Sequence, residues 1–314
     1  MPVIAVAGGT AGIGRTFVEE IIATGKHEVV ILSRQRDPEL EITIGARILS
    51  TDYASVEILA HLLEDNKIHT VISALSFRNQ GNTPPDVQLV LAADASKTTK
   101  RYIANNWGVP IKEGDEVRMA PMAFKVEALK AAKQAKDLEY VSFYTGFFLD
   151  YWGMPVVKSH MRPAVMVIDI AHGAAAIPGD GNTPVAFTHT SDVARYVSAA
   201  LDLEKWESGY NLSADKVTWK KFLALAENAC GTEFKVTYDD AEKLKAGQVT
   251  ELPTQVNAGL FATEDAYRKL LAATHLRMDS GMFDFDEGRK ARDAFPSITP
   301  KTVKSLLEEA WGRA

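Results

Sequence analysis

Gly8, Gly12 and Gly14 sit in the stretch GGTAGIG at the spacing G-x-x-x-G-x-G, directly behind the apolar run Val3 to Ala7. Glycine permits tight turns and close approach of another group, but it weakens the interior of a helix or strand. Beyond the cluster, Phe17, Val18, Ile21 and Ile22 recur at helical spacing, and Gly25 offers a stop. The order is strand, glycine turn, helix. Such a turn aims backbone N–H groups and the positive end of a helix at one point, which is the chemistry of pyrophosphate binding. Thr10 adds a hydroxyl donor there, and Ile13 lies in the same turn. The alternative is a structural turn that holds no ligand. Because motif and flanking elements agree, a dinucleotide is the expected occupant.

A second group of residues selects the dinucleotide. Glu28 to Leu32 reads as the next strand and runs into Ser33-Arg34-Gln35-Arg36. Sites for NAD place an acid at this point to accept from the ribose hydroxyls. An acid would repel a 2′-phosphate, whereas a guanidinium binds it bidentately. Arg34 is the best-placed cation, with Ser33 assisting and Arg36 in reserve; the alternative is a solvated loop arginine. NADP is the expected cofactor.

The segment Ser73-Ala74-Leu75-Ser76-Phe77 closes the fourth strand, and its small residues would let the ribose and pyrophosphate lie against the backbone. Asp52 and Tyr53, after the third strand, are placed to form an adenine wall, with helix capping as the alternative for the carboxylate. Tyr144, Phe147, Phe148, Tyr151 and Trp152 form an aromatic run after the strand Glu139 to Tyr144. With Phe77 they are expected to wall a pocket for a flat, apolar or aromatic small molecule. His160, His172 and His189 show no metal-ligand spacing, and no metal is expected.

These residues need a frame, and the first half of the chain supplies one by alternating strand and helix signals. Strands are expected at 3–7, 28–32, 47–49, 71–75, 101–104 and 139–144, with helices at about 56–63, after Asp86 and at 123–136. Helical crossovers between successive strands imply a mostly parallel sheet. The fold class is therefore α/β, a Rossmann-type doubly wound sheet with a smaller, mainly helical C-terminal substrate-binding part. Residues 1–150 are read as the NADP-binding domain. Residues 151–314 are read as the cap, with segments returning to the sheet. The formal charge of −6 argues against nucleic acid, and no apolar stretch approaches a membrane span. Cys230 is the single cysteine, so no intrachain disulfide and no thiolate cluster can form. With no secretory leader pattern at residue 1, a reducing cytosol is the expected compartment.

In this order the motifs resemble the NmrA-like and isoflavone-reductase-like branch of the atypical short-chain dehydrogenase superfamily. The resemblance runs over most of the chain: GGTAGIG, LSR ending at Arg34, STDYAS, KRYIANNWG, AFKVEALKAAKQAKDLEYVSFYTGFF, HTSDVARYV and YNLSADKVTW. It implies that Lys125 is the counterpart of the branch's active-site lysine, after a register shift of about one residue. Lys125 would then stabilise charge developing on the substrate or clamp the nicotinamide ribose; the alternative is a solvated helix lysine. Where many relatives have Pro-Ser-Glu-Phe-Gly, this chain has Ala104-Asn105-Asn106-Trp107-Gly108. Asn105 thus takes the serine position, where it can bond ribose or substrate, or simply cap the strand. No tyrosine has a lysine four residues later, so the tyrosine–lysine pair of typical short-chain enzymes is missing. Three functions fit: an NADPH-dependent reductase, an NADP-binding redox sensor of the NmrA type, and an isomerase or cyclase with structural NADP.

Overall fold

The computed structural model describes residues 1–76, 85–112, 123–255 and 264–312; Phe77 lies outside the described residues. Strand β1 (Val3–Ala7) is buried along nearly its whole length. It pairs in parallel with β2 (Glu28–Ser33) on one side and β4 (Ile68–Ser73) on the other. A strand enclosed in this way carries apolar residues on both faces, as VIAVA does. Beyond β2 lies β3 (Arg47–Ser50). Beyond β4 follow β5 (Arg101–Ile103), β6 (Glu139–Tyr144), β11 (Gly209–Asn211) and β14 (Arg289–Lys290). All eight strands are parallel. The order reverses between β1 and β4, the point where open α/β sheets leave a crevice at their carboxyl edge.

The crossovers are helices α1 (Gly12–Thr24), α2 (Pro38–Ile44), α3 (Val56–Asp65), α4 (Pro85–Ala95) and α5 (Ala123–Gln134), and later α6 (Thr190–Leu201). Helix α2 is absent from the sequence reading. It is one short segment with only Ile44 buried, so it has no periodicity to detect, and Asp37 starts it by accepting from the Leu40 amide. The fourth strand ends at Ser73, which leaves Ala74, Leu75 and Ser76 in the connection that follows.

The chain divides into two compact units, each made of three segments. The first comprises Met1–Tyr144, Ser191–Leu212 and Glu287–Ile298, and it holds the whole parallel sheet and α10 (Ala291–Ala294). Within it, Arg101 of β5 donates to the carbonyls of Leu203 (2.8 Å) and Glu204 (2.6 Å) and pairs with Glu139 (2.8 Å). Its guanidinium also lies 4.7 Å from the centre of the Trp206 ring. One side chain therefore ties the exit of α6 to the sheet.

The second unit comprises Thr145–Thr190, Ser213–Asp286 and Thr299–Ala314. It contains two three-stranded sheets. One joins β12 (Asp215–Thr218), β10 (Pro184–Thr188) and β7 (Phe147–Phe148); the other joins β13 (Lys235–Asp239), β9 (Ala174–Pro178) and β8 (Ile168–Asp169). Helices α7 (Trp219–Cys230), α8 (Ala241–Lys245), α9 (Glu264–Asp279) and α11 (Val303–Trp311) complete the unit. Its core centres on Trp152, Phe187, Trp219 and Phe222, whose ring centres lie between 5.0 and 5.8 Å apart. Among the described residues, no helix is long and apolar enough to cross a membrane.

Candidate functional site

The glycine turn joins β1 to α1 as expected, and its glycines answer to different constraints. Gly12 opens the helix at φ +56°, a conformation that a side chain strains. A Cβ on Gly14 would lie 2.4 Å from the Gly8 carbonyl oxygen, and one on Gly8 would lie 2.5 Å from that of Ala74. Those two positions are closed by the protein's own backbone. Ala11, at the N-cap of helix α1, offers no side-chain cap, and the first turn holds no acid. By contrast α2, α3, α7, α8 and α11 are all capped by a side chain: Asp37, Ser55, Thr218, Asp240 and Thr302. The α1 terminus therefore keeps its orphan amides and positive end for an anion, which fits a pyrophosphate. Thr10 is half-buried in this turn, and Ile13 is buried under it.

At the end of β2, Ser33 is half-buried and Arg34 is exposed. Arg36 is committed elsewhere: its Nε and Nη2 donate to the two carboxylate oxygens of Glu41 at 3.1 and 3.0 Å. Arg34 has no ion pair among the described residues. The cation expected to meet a 2′-phosphate is thus the available one, and its reserve is not.

The adenine wall needs correcting at Tyr53. Tyr53 stands at φ +59°, which turns its side chain inward, and only 4 % of it is exposed. Its hydroxyl donates to the Leu32 carbonyl at 2.9 Å, so the ring belongs to the core of the first unit. Burial pushes the phenol well above its ordinary range. Asp52 is exposed, and it does not take the alternative role of capping α3. Its Oδ1 accepts from the Ala54 amide at 2.9 Å in a local turn, while Ser55 caps the helix.

Sequence reasoning missed the most connected polar residue of the site. Asp86, in the first turn of α4, is fully buried. It accepts from the Ser73 hydroxyl, and its Oδ2 accepts from Asn105 Nδ2 at 3.0 Å. The same nitrogen donates to the Leu75 carbonyl at 2.8 Å. Asp86, Tyr102, Asn105 and Lys125 line one small pocket. Burial pushes the Asp86 carboxyl up, while Ser73, Asn105 and Lys125 hold it down. Burial pushes the Lys125 ammonium down, and Asp86 holds it up. The signal was present as an acid opening an apolar helix, but that pattern is ordinary because carboxylates favour helix N-termini. Trp107 is also structural: its Nε1 donates to the Ser73 carbonyl at 2.9 Å, and its ring centre lies 4.6 Å from that of Phe17.

The aromatic run divides between the units. Tyr144 ends β6, half-buried, beside Gly209, where a Cβ would come within 2.8 Å of its ring. Trp152 is a core residue of the second unit, 3 % exposed, and its Nε1 donates to the Ile168 carbonyl at 3.2 Å. Phe147 and Tyr151 pack against that core, with ring centres 5.8 Å apart. Burial raises the Tyr151 phenol well above its ordinary range. These three pack within the fold because large rings gain most when desolvated against one another. Phe148 is half-buried, and Ala74 and Leu75 are half-buried with Ser76 exposed. No group of metal-binding side chains occurs among the described residues.

Residues 2–297 match the model of the NmrA-like family. The oxidoreductase BOA1 of Botryotinia fuckeliana is 34 % identical over 74 % of this chain and 77 % of that protein. Among solved structures, the complex of leucoanthocyanidin reductase with NADPH from Vitis vinifera superposes with a TM-score of 0.73. It is 17 % identical, with 98 % of each chain covered. AtPrR2 with NADP+ and (+)pinoresinol superposes with a TM-score of 0.67 at 21 % identity, again covering 98 % of each chain.

Proposed function

The chain belongs to the NmrA-like family, and from that premise we propose an NADPH-dependent reductase acting on a conjugated, ketone or imine carbon. Its substrate is a medium-sized apolar or aromatic metabolite. The similarity to an oxidoreductase and to reductases solved with NADPH or NADP+ supports the activity and the cofactor. The pinoresinol bound to AtPrR2 supports an aromatic substrate. The single observation that carries the cofactor choice is Arg34, exposed at the end of β2 while Arg36 is locked to Glu41.

NADPH supplies the hydride when bound. The chain's own groups do the rest. The first turn of α1 presents amides to the pyrophosphate, and Arg34 with Ser33 receives the 2′-phosphate. Lys125 meets negative charge developing on the substrate oxygen or nitrogen, or donates its proton there. A lysine in a partly dry pocket suits that task, because burial brings its pKa toward working pH.

Incubation with NADPH and a panel of aromatic enones, ketones and cyclic imines, followed by loss of NADPH absorbance, tests the proposal. Turnover of at least one class is expected. Tight NADPH binding with no consumption across the panel would favour the redox-sensor reading instead.

A further inference from the structure

The Asn105 carboxamide is held by two acceptors on one side, Asp86 Oδ2 at 3.0 Å and the Leu75 carbonyl at 2.8 Å. The carbonyl is an acceptor in every state, and so is the ionised carboxylate, so the amide must turn its nitrogen to them, and the orientation does not depend on which atom is labelled nitrogen. With its N–H groups spent, Asn105 is left with Oδ1 alone for any other partner. Asp86 is itself fixed from β4 by the Ser73 hydroxyl, and it is completely excluded from solvent. A buried carboxylate with only neutral donors is costly; one facing a cation across a pocket is compensated. Lys125, from α5, lines that pocket with both residues.

We infer that Asp86 is a positioning residue. It locks Asn105 as a pure hydrogen-bond acceptor and serves as the buried counter-charge of the Lys125 ammonium. This inference rests on the reductase reading for its purpose, but not for its test. It gives the departure from serine at position 105 a physical meaning. A serine hydroxyl both donates and accepts, whereas the locked amide accepts only. A ligand group meeting Asn105 must therefore bring a hydrogen: a ribose hydroxyl, a protonated nitrogen or the lysine itself.

Among the described residues, the titratable groups that face Asp86 are Tyr53 from the β3–α3 connection, Tyr102 from β5 and Lys125 from α5. Burial keeps both phenols neutral, and the Asp86 carboxylate reinforces this. Among the described residues, Asp86 is the charge that acts on Lys125, and it favours the ammonium. Removing that charge should let the lysine lose its proton at lower pH.

Lys125 can be titrated in the protein without cofactor or substrate by reductive methylation with carbon-13 formaldehyde. Its dimethylamine resonance is assigned by its absence in Lys125→Met. In Asp86→Asn the acid dissociation constant should rise by about tenfold or more, while Asp86→Glu keeps it within about threefold of wild type. Wild type alone gives a second reading should Asp86→Asn fail to fold. The Lys125 resonance should then show a second inflection at acid pH as Asp86 takes its proton. An unchanged Lys125 titration in folded Asp86→Asn, or a single inflection in wild type, overturns the proposal. An inactive substrate panel bears only on the reductase reading and leaves this result standing.

Discussion

At the scale of single residues, two arginines two positions apart have opposite fates. Arg36 is spent on Glu41, and Arg34 is not. Arg34→Ala should weaken NADPH binding by about 1.5–3 kcal/mol, roughly tenfold to a hundredfold in Kd, and leave NADH almost untouched. Arg36→Ala should change neither. Fluorescence titration of both cofactors into the three proteins decides this, and equal affinity of wild type for NADH and NADPH would remove the assignment. Lys125 separates its two roles by kinetics. If its ammonium acts only on the developing charge, Lys125→Met lowers kcat with little change in NADPH affinity. If it clamps the ribose, the same variant weakens NADPH binding. A variant normal in both would return Lys125 to the class of solvated helix lysines. Sequence pointed to Arg34 because strand register is local. It could not reveal Asp86, because burial of a helix-opening acid depends on Ser73 and Asn105, which lie in other elements.

At the scale of elements, the β1–turn–α1 unit was readable throughout, since its apolar run, glycines and helical period all occur within one short window. The backbone approaches that set Gly8 and Gly14 were not readable, because Ala74 enters from β4's exit. Gly12→Val should therefore lose dinucleotide binding yet remain folded by circular dichroism, since the strain is confined to the mouth of one helix. Gly14→Val should fail to fold, because its side chain would strike the Gly8 carbonyl. Normal NADPH affinity in Gly12→Val would show that the turn binds no pyrophosphate. The small sheets of the second unit escaped notice for a related reason. Strands of two to five residues carry too few alternations to register, and their partners lie far along the chain. The aromatic run was legible as a cluster that must be partly core, but not in which rings are core, since Trp219 and Phe222 complete it from a distant helix. The Arg101 clamp belongs here too. Arg101→Ala leaves the Leu203 and Glu204 carbonyls without their donor and should cost about 2–3 kcal/mol in urea unfolding. A loss below about 0.5 kcal/mol would show that water replaces the guanidinium.

At the scale of the whole molecule, stability should depend on pH through His275 of α9. It is fully buried, and neither ring nitrogen has a partner among the described residues. Burial pushes its pKa down to about 4. The unfolded chain takes a proton at this residue near its ordinary value of 6.5, and the folded chain does not. Folding stability therefore falls as pH drops from about 6.5 toward 4, by up to roughly 3 kcal/mol from this residue alone. Urea unfolding at pH 7 and 4.5 should show a smaller fall for His275→Leu than for wild type, and equal falls would refute the linkage. The interleaving of the two units also bears on how the protein is made. The parallel sheet takes its last strand, β14, from Arg289–Lys290, and the second unit takes α11 from Val303–Trp311. During synthesis the first unit cannot be completed until Arg289–Lys290 has left the ribosome, nor the second until Val303–Trp311 has. Pairings between segments so distant in sequence form slowly. Until β14 arrives, β11 stays an open edge that another nascent chain can pair with. The yield of folded protein should therefore respond to chaperone supply and translation speed even where the stability of the finished fold is unchanged.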